Sequence, residues 1–356
     1  MSGEQESTPQ RKLEHIRIIL NNDTQYHNKT TMLENVKVLP YGPSLDPDNV
    51  DISTTLIGKH INAPLFISGM TGGPAATLKI NEDIAIAASK AGIPMGVGSQ
   101  RAMVESPDMS FTYDMKRFAK NLFLIGNIGA SELLKYDKDR IQNMLDSINA
   151  DMLALHTNPG QESVQPEGNI NFKGVYQKIC ELSGGIKQPV IVKEVGNGIS
   201  KEVARKLNGK VQWIDTQGAG GTTWIGVETY RSKGSYGKAF WDWGVPTALS
   251  VLEVRSVFSG HVWASGGIRT PADIVKALAL GAEMCGMAKP ILVNENKEGS
   301  EGVYRFIAST IAGVKAEMAK LGFNSIGELK SAKVEIGGRL KDLTEQRECM
   351  PANAII

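Results

Sequence analysis

From residue 64 onward the chain alternates strand-length runs of β-branched and apolar residues with stretches of helical spacing, and a glycine-rich or polar loop separates each run from the next helix. The runs are residues 64–70, 93–99, 122–129, 151–158, 189–195, 213–218, 261–267 and 283–292. Helical patterns between them include residues 81–91 ended by Gly92, 201–207, and 273–280 ended by Gly281. Eight such units predict an α/β fold, a TIM (β/α)8 barrel over residues 61–321 with extensions at both ends. Residues 1–10 are polar and expected to be disordered. Residues 11–60 read as an amphipathic helix, with Ile16, Ile19 and Leu20 on its apolar side, followed by an arm turning at Asp46-Pro47-Asp48; together they are expected to contribute to the active site. Residues 218–244 form the longest loop, first glycine-rich and then aromatic (Trp224, Tyr230, Tyr236, Phe240, Trp241, Trp243), suited to a lid or a subunit contact. Residues 302–321 read as the closing helix and 322–356 as a basic, apolar-poor extension packed outside the barrel.

Such barrels bind ligands at the carboxyl ends of their strands, so the residues that end each run are the candidate site. In order they are Met70-Thr71-Gly72-Gly73, Ser99-Gln100-Arg101, Asn127, His156 to Glu162, Lys193, Gln217 to Thr223, Gly266-Gly267-Ile268-Arg269, and Ala288-Lys289. The fourth tip is the densest: His156 and Asn158 fall on one side of an alternating strand, with Gln161 and Glu162 just beyond it. Burying these four groups without partners would cost roughly 1–3 kcal/mol each, so a core has no use for them; the competing reading is a polar loop that follows a strand. At the seventh tip Thr270 is placed as an N-cap, with Pro271 at the first helical position and Asp273 as the reciprocal partner of a capping box. That helix start, the Gly266-Gly267 backbone and Ala288-Lys289 together make a phosphate cradle. Lys193 lies in phase with Ile191 on a barrel-facing position, where it either pairs with Asp215 or stands beside a flavin ring that Asn127 and Thr223 also hydrogen-bond.

Composition narrows the partners. Basic and acidic residues number 39 and 38, so no broad field favours nucleic acid or an anionic membrane, and any anion site is local. Cys180, Cys285 and Cys349 lack paired spacing, which fits a reducing compartment, and no run is long enough to span a bilayer; the chain reads as cytoplasmic.

The set Arg11-Lys12-x-x-His15, Met70-Thr71-Gly72-Gly73, Ser99-Gln100-Arg101, Gly126-Asn127, His156-x-Asn158-x-x-Gln161-Glu162, Lys193, Gly220-Gly221-Thr222-Thr223-Trp224, Trp243-Gly244-Val245-Pro246-Thr247 and Ser265-Gly266-Gly267-Ile268-Arg269 resembles the type 2, FMN-dependent isopentenyl diphosphate isomerases, in the right order from about Arg11 to Leu321. Thr157 stands where that family usually has leucine, and Thr222-Thr223 where it has Thr-Ser; Thr157 is expected to point away from His156. The resemblance implies that Arg11, Lys12, Ser99, Gln100 and Arg101 hold the diphosphate, and that Glu162 holds a bridging Mg²⁺. It implies that Met70, Thr71, Gly72, Ser99, Asn127, Lys193, Thr223, Gly266, Gly267, Arg269, Ala288 and Lys289 hold FMN. Gln161, His156 and Asn158 would line the pocket beside the isoprene unit, with Gln161, His156, Asn158 and Lys193 as the catalytic residues and Gln161 also binding substrate. It further implies reduced FMN as the active form, NADPH or another reductant to prime it, and a homo-tetramer or homo-octamer.

Moving the double bond of an isoprenyl diphosphate needs a proton delivered at C4 and another removed from C2, with no net redox change. An alkene is a very weak base, so the acid must sit in a dry site close to the carbon. The rival reading is an FMN-dependent 2-hydroxy-acid oxidase, whose chemistry pairs a histidine base with a carboxylate-binding arginine. Of five histidines, His15, His27 and His60 precede the barrel and His261 starts the seventh run at the opposite face, which leaves His156 alone. A non-catalytic flavin or phosphate barrel is a third reading, disfavoured because a scaffold needs only the cradle.

Overall fold

The computed structural model describes residues 8–232, 234 and 236–355. Eight parallel strands, β4 (Leu65–Ile67), β5 (Met95–Gly96), β6 (Leu124–Gly129), β7 (Met152–His156), β8 (Val190–Lys193), β9 (Trp213–Asp215), β10 (His261–Ser265) and β11 (Met284–Met287), close into a barrel in sequence order. Each falls within one of the eight expected runs. The register aligns Gly129 with His156, His156 with Lys193, Lys193 with Asp215, and Asp215 with Trp263. Partners in a parallel ladder share a face, so His156, Lys193 and Asp215 point to the barrel interior, as does Trp263. Below them the interior is filled by Phe66, Ile125, Ala154, Ile191, Trp263 and Met284.

The helices that cover the barrel are α2 (Leu78–Ala91), α4 (Lys138–Asp146), α6 (Val175–Ser183), α7 (Lys201–Leu207), α9 (Thr247–Arg255), α10 (Pro271–Ala279) and α11 (Lys289–Leu321). Gly92 ends α2 in the left-handed region at φ 69°, which a side chain rarely adopts. The expected closing helix is longer than its pattern suggests: α11 begins at Lys289, absorbing the end of the eighth run, and breaks at Glu298 and Gly299.

The amino-terminal helix α1 spans Thr8–Asn21, so residues 8–10 are helical where disorder was expected; residues 1–7 lie outside the described part. The arm holds a hairpin that the polar pattern hid. Strands β2 (Thr54–Leu56) and β3 (Lys59–Ile61) are joined by Ile57 and Gly58, both at positive φ. Leu56 and Ile61 pack into the interior cluster, and the hairpin thus plugs the end of the barrel opposite the candidate site.

The carboxyl-terminal extension is richer in core than its composition implies. Phe323, Leu329, Val334, Leu340 and Cys349 are buried, and β12 (Val334–Ile336) pairs antiparallel with β1 (Val36–Val38) and parallel with β13 (Ala354–Ile355). Helices α12 (Ile326–Leu329) and α13 (Gly338–Gln346) complete it. Three further helices lie at the site: α3 (Arg101–Glu105), α5 (Pro159–Val164) and α8 (Trp224–Ser232). The last two occupy segments that read as loops. All three cysteines are free, and no helix among the described residues is long and apolar enough to cross a membrane.

Candidate active site

The cradle after β10 is built as its sequence dictates. Thr270 Oγ1 accepts the Asp273 N–H at 3.1 Å, and the Asp273 carboxylate accepts from Thr270 N at 2.9 Å and Arg269 N at 3.1 Å. Gly266 and Gly267 turn at φ 95° and 72°. Gly221 approaches so closely that a Cβ there would lie 2.5 Å from Gly267 N. These residues, with Met70, Thr71, Ala288 and Lys289, border a space of about 1000 Å³. The hydroxyls of Thr71 and Thr222 are buried at its wall with no protein partner, which suits a ligand rich in donors and acceptors. Lys289 bonds only Thr24 Oγ1, at 3.4 Å, and neither it nor Arg269 forms an ion pair among the described residues. Burial and then the Arg269 charge hold Lys289 below the usual lysine range, as expected of a cation waiting for an anion. The set fits a flavin mononucleotide phosphate and ring. A Gly221→Ala substitution is therefore expected to yield folded protein that fails to retain FMN, read from absorbance after gel filtration; normal yellow protein would contradict the cradle.

Two expected flavin contacts are placed differently. Thr223 is fully buried, its N–H bonded to Thr24 O at 2.8 Å and its hydroxyl accepting from Gly226 N at the start of α8; Thr222 faces the space instead. Gly72 stands behind the wall, where a Cβ would meet the Tyr113 ring at 2.3 Å.

At the centre, Lys193 does not pair with Asp215. Asp215 is bonded to Ser265 Oγ at 2.6 Å and to Gln217 Nε2 at 2.9 Å, while the Lys193 ammonium donates to Glu194 O at 3.2 Å. Asn127 orients the neighbouring imidazole. Its amide N–H donates to Val97 O at 3.0 Å, so its Oδ1, 2.9 Å from His156 Nδ1, accepts; this sets the Nδ1–H tautomer and leaves Nε2 as an acceptor. Burial, then the charges of Lys193 and Lys12, pushes His156 down to about 3, so it is neutral at physiological pH. An unfolded histidine takes a proton below its ordinary 6.5, and the folded one refuses it. Stability is thus expected to fall as pH drops from 6.5 toward 3, and the slope of urea midpoint against pH should be shallower in His156→Gln. Thr157 points to the other side of the strand, bonded to Lys193 O.

Beyond these residues a second space of about 860 Å³ continues past His15, Met70 and Trp224, which line both. Arg11, Lys12, Ser99 and Arg101 border it. The Lys12 ammonium donates to Ser99 O at 2.7 Å and to Tyr113 Oη at 2.8 Å, and burial together with the Arg11 charge lowers it to about 7. Gln100 departs from expectation: its side chain is fully buried, its Oε1 accepting from Asn127 N at 2.8 Å, so it braces the β6 tip and does not reach an anion. From α5 and the residue before it, Asn158 donates to Gln161 Oε1 at 3.1 Å and to Glu162 Oε1 at 2.9 Å. The other Glu162 oxygen accepts from Asn169 N at 2.6 Å.

Glu228, Arg231 and Glu167 were missed. Glu228 on α8 is fully buried, bonded by His15 Nε2 at 2.8 Å, Gln161 Nε2 at 3.0 Å and Arg231 Nε at 2.7 Å. Arg231 and Arg11 also share Glu167, so α1, α5 and α8 are tied into one wall. Trp224 stands edge-on to His15 at 5.1 Å. The Glu228/Arg231 spacing of three was the available signal, obscured because the segment read as an aromatic loop.

Comparison with known proteins agrees with this geometry. Residues 175–336 match the FMN-dependent dehydrogenase family model. Among solved structures, a flavocytochrome b2 variant superposes with a TM-score of 0.67 at 18% identity, covering 97% of this chain and 86% of that one, and a mandelate oxidase variant with 0.66 at 16%, covering 92% and 95%; these establish the fold. The isopentenyl-diphosphate delta-isomerase of Pyrococcus furiosus is 40% identical over 95% of this chain and 89% of its own length, and that of Methanococcus maripaludis 40% over 94% and 98%. The chain belongs to the FMN-dependent, type 2 family of isopentenyl-diphosphate delta-isomerases.

Proposed function

We propose that this protein interconverts isopentenyl and dimethylallyl diphosphate, with FMN in the β10–β11 cradle, the diphosphate at Arg11, Lys12, Ser99 and Arg101, and Mg²⁺ on Glu162. The observation that carries the reading is the wall that the two spaces share, which includes His15, Met70 and Trp224, with Arg269 and Lys289 on the first space, Arg11 and Arg101 on the second, and neutral His156 beside the Lys193 ammonium. Cations for a phosphate on each side of one shared wall match one flavin and one prenyl diphosphate meeting ring to alkene. When bound and reduced, FMN would supply acid and base chemistry at the alkene, with no net redox change. Lys193 supports negative charge at the ring. Neutral His156 and Asn158 shape the isoprene pocket without adding a competing acid, and Gln161 assists proton removal at C2, a role supported by the hydrogen bonds that tie its amide to Asn158 and Glu228.

Among the described residues no group of three His, Cys, Asp or Glu could hold a metal ion. Glu162 alone still fits Mg²⁺, which is commonly bound through one or two carboxylates, substrate phosphate and water. Bound there, Mg²⁺ would neutralise part of the diphosphate charge and fix its orientation. Glu162→Gln is expected to raise the Mg²⁺ concentration for half-maximal rate by on the order of 100-fold, with FMN affinity unchanged. An unaltered Mg²⁺ dependence would remove that role.

A reduced pyridine nucleotide primes the flavin in this reading, and the protein acts as a cytoplasmic homo-oligomer; exposed Tyr236 and Phe240 suit a subunit contact. The hydroxy-acid oxidase alternative is weaker, because His156 is oriented by an amide and pushed down to about 3, which makes it a poor proton acceptor. Anaerobic incubation with isopentenyl diphosphate, Mg²⁺ and NADPH in heavy water tests the proposal. Deuterated dimethylallyl diphosphate without stoichiometric NADPH oxidation is expected; its absence would show the isomerase reading to be wrong.

A further inference from the structure

A separate cleft lies on the outer side of the β8 tip, between α5, α6, α7 and residues 242–245, with about 1300 Å³ of space that opens to solvent. Its walls are apolar, including Phe172, Ile179 and Val203, and the half-exposed Trp243 stands at its mouth. Its inner end is polar in a specific way. Glu194 and Asn197 are 4% and 1% exposed, and each uses only half of its side chain inside the protein. One Glu194 oxygen accepts from the N–H groups of Val195 and Asn197, and the Asn197 amide nitrogen donates to Tyr26 Oη at 2.7 Å and Trp243 O at 2.8 Å. The remaining oxygens, Glu194 Oε1 and Asn197 Oδ1, have no hydrogen-bond partner among the described residues.

Two buried, unsatisfied acceptors at the end of an apolar cavity call for a donor-only head on an apolar body. An ammonium has three donors and no acceptor, and a carboxylate prefers it to a neutral hydroxyl. We propose that this lateral cavity is a second ligand site, for a primary alkylammonium whose head donates to Glu194 Oε1 and Asn197 Oδ1 and whose chain lies along Phe172, Ile179 and Val203. Burial lifts the Glu194 acid to about 7, the state expected of a carboxyl whose counter-charge must come from outside. The charged and titratable groups around it are Lys193, whose ammonium is on the Glu194 carbonyl; Tyr26; and, at the mouth, Asp242 and Lys29, the last donating to Gly244 O at 2.6 Å. The site faces away from the flavin cradle and does not depend on the isomerase reading.

Calorimetry on FMN-loaded enzyme in air, with isopentenyl diphosphate and Mg²⁺ present to occupy the main cavity, tests the proposal with n-hexylammonium as probe. A saturable one-to-one heat is expected, with n-hexanol binding about tenfold more weakly or worse, and Glu194→Gln losing a similar factor. Val203→Phe, which fills the cavity from α7, should abolish binding and leave the isomerisation rate unchanged. Absence of heat, equal affinity for hexanol, or indifference to both substitutions would overturn the site. Should Glu194→Gln not fold, the hexanol comparison and Val203→Phe decide.

Discussion

Lys193→Met is expected to lower the isomerisation rate by about 100- to 1000-fold, the range seen when one preorganised electrostatic group is removed from a reacting centre. The residue is 7% exposed at the β8 tip, paired in register with His156 and Asp215 on its neighbours, and its ammonium is held by the Glu194 carbonyl with no carboxylate within ion-pairing distance among the described residues. Desolvation lowers its proton affinity, and the charges of Asp215 and Glu194 only partly offset that. Such a cation is an electrostatic liability until an anionic ring lies against it. The same substitution should therefore leave the apoprotein no less stable in urea. Where the folded lysine releases its proton below the ordinary 10.5, the unfolded chain binds more protons, so this group's contribution to stability rises with pH toward 10.5 and should vanish in Lys193→Met. The phosphate cradle is untouched, so FMN should stay bound. Anaerobic turnover together with flavin absorbance checks the pair; a variant within a few-fold of the parent rate would show that Lys193 is not the electrostatic support.

Glu228→Ala should be the most destabilising single change at the site, by about 3 kcal/mol, because stripping one partner from a buried charge cluster leaves the others unpaired. His15, Gln161 and Arg231 all converge on this carboxylate; Arg231 keeps Glu167, which places the loss at the low end of the roughly 3–5 kcal/mol range. Despite desolvation, the hydrogen bond from His15 and the charges of His15 and Arg231 hold the acid down at about 2, against an ordinary 4.5. Its stabilisation is fully present above 4.5 and is lost as pH falls through 2. Activity should fall as well, chiefly through a raised KM for the diphosphate substrate, since α1 carries Arg11 and Lys12 and is fastened to α8 through this group. Glu228→Gln, which keeps hydrogen-bonding capacity, should recover part of the stability. Urea unfolding of parent and variants at pH 7 and pH 4 separates these outcomes; equal midpoints would mean that the cluster does not anchor the helix.

Much of the barrel was legible because its determinants are local. Apolar runs of strand length, Gly92 at a helix end and the Thr270/Asp273 capping box each specify their element through neighbours a few residues away. The polar tips were legible for the same reason: a barrel puts strand ends on one rim, so Thr71, His156, Lys193 and Gly267 could be gathered once the strands were counted.

Long-range partners decided the rest. Leu56 and Ile61 look like isolated apolar residues in a polar arm until the barrel floor opposite gives them a cavity to plug. Val334 and Ile336 are buried because Val38 and Val36, some three hundred residues earlier, pair with them. Period-two reasoning fails in irregular loops, so which of Thr222 and Thr223 faces the cavity, and whether Gln100 meets an anion or Asn127 N, was set by how the loop packs. Glu228 became part of the site only when α8 folded onto α1 and α5. The linear order thus specified which chemical groups crown the barrel, because strand periodicity repeats every two residues; burial and orientation of each group were settled by tertiary contact, because desolvation depends on what arrives from elsewhere in the chain.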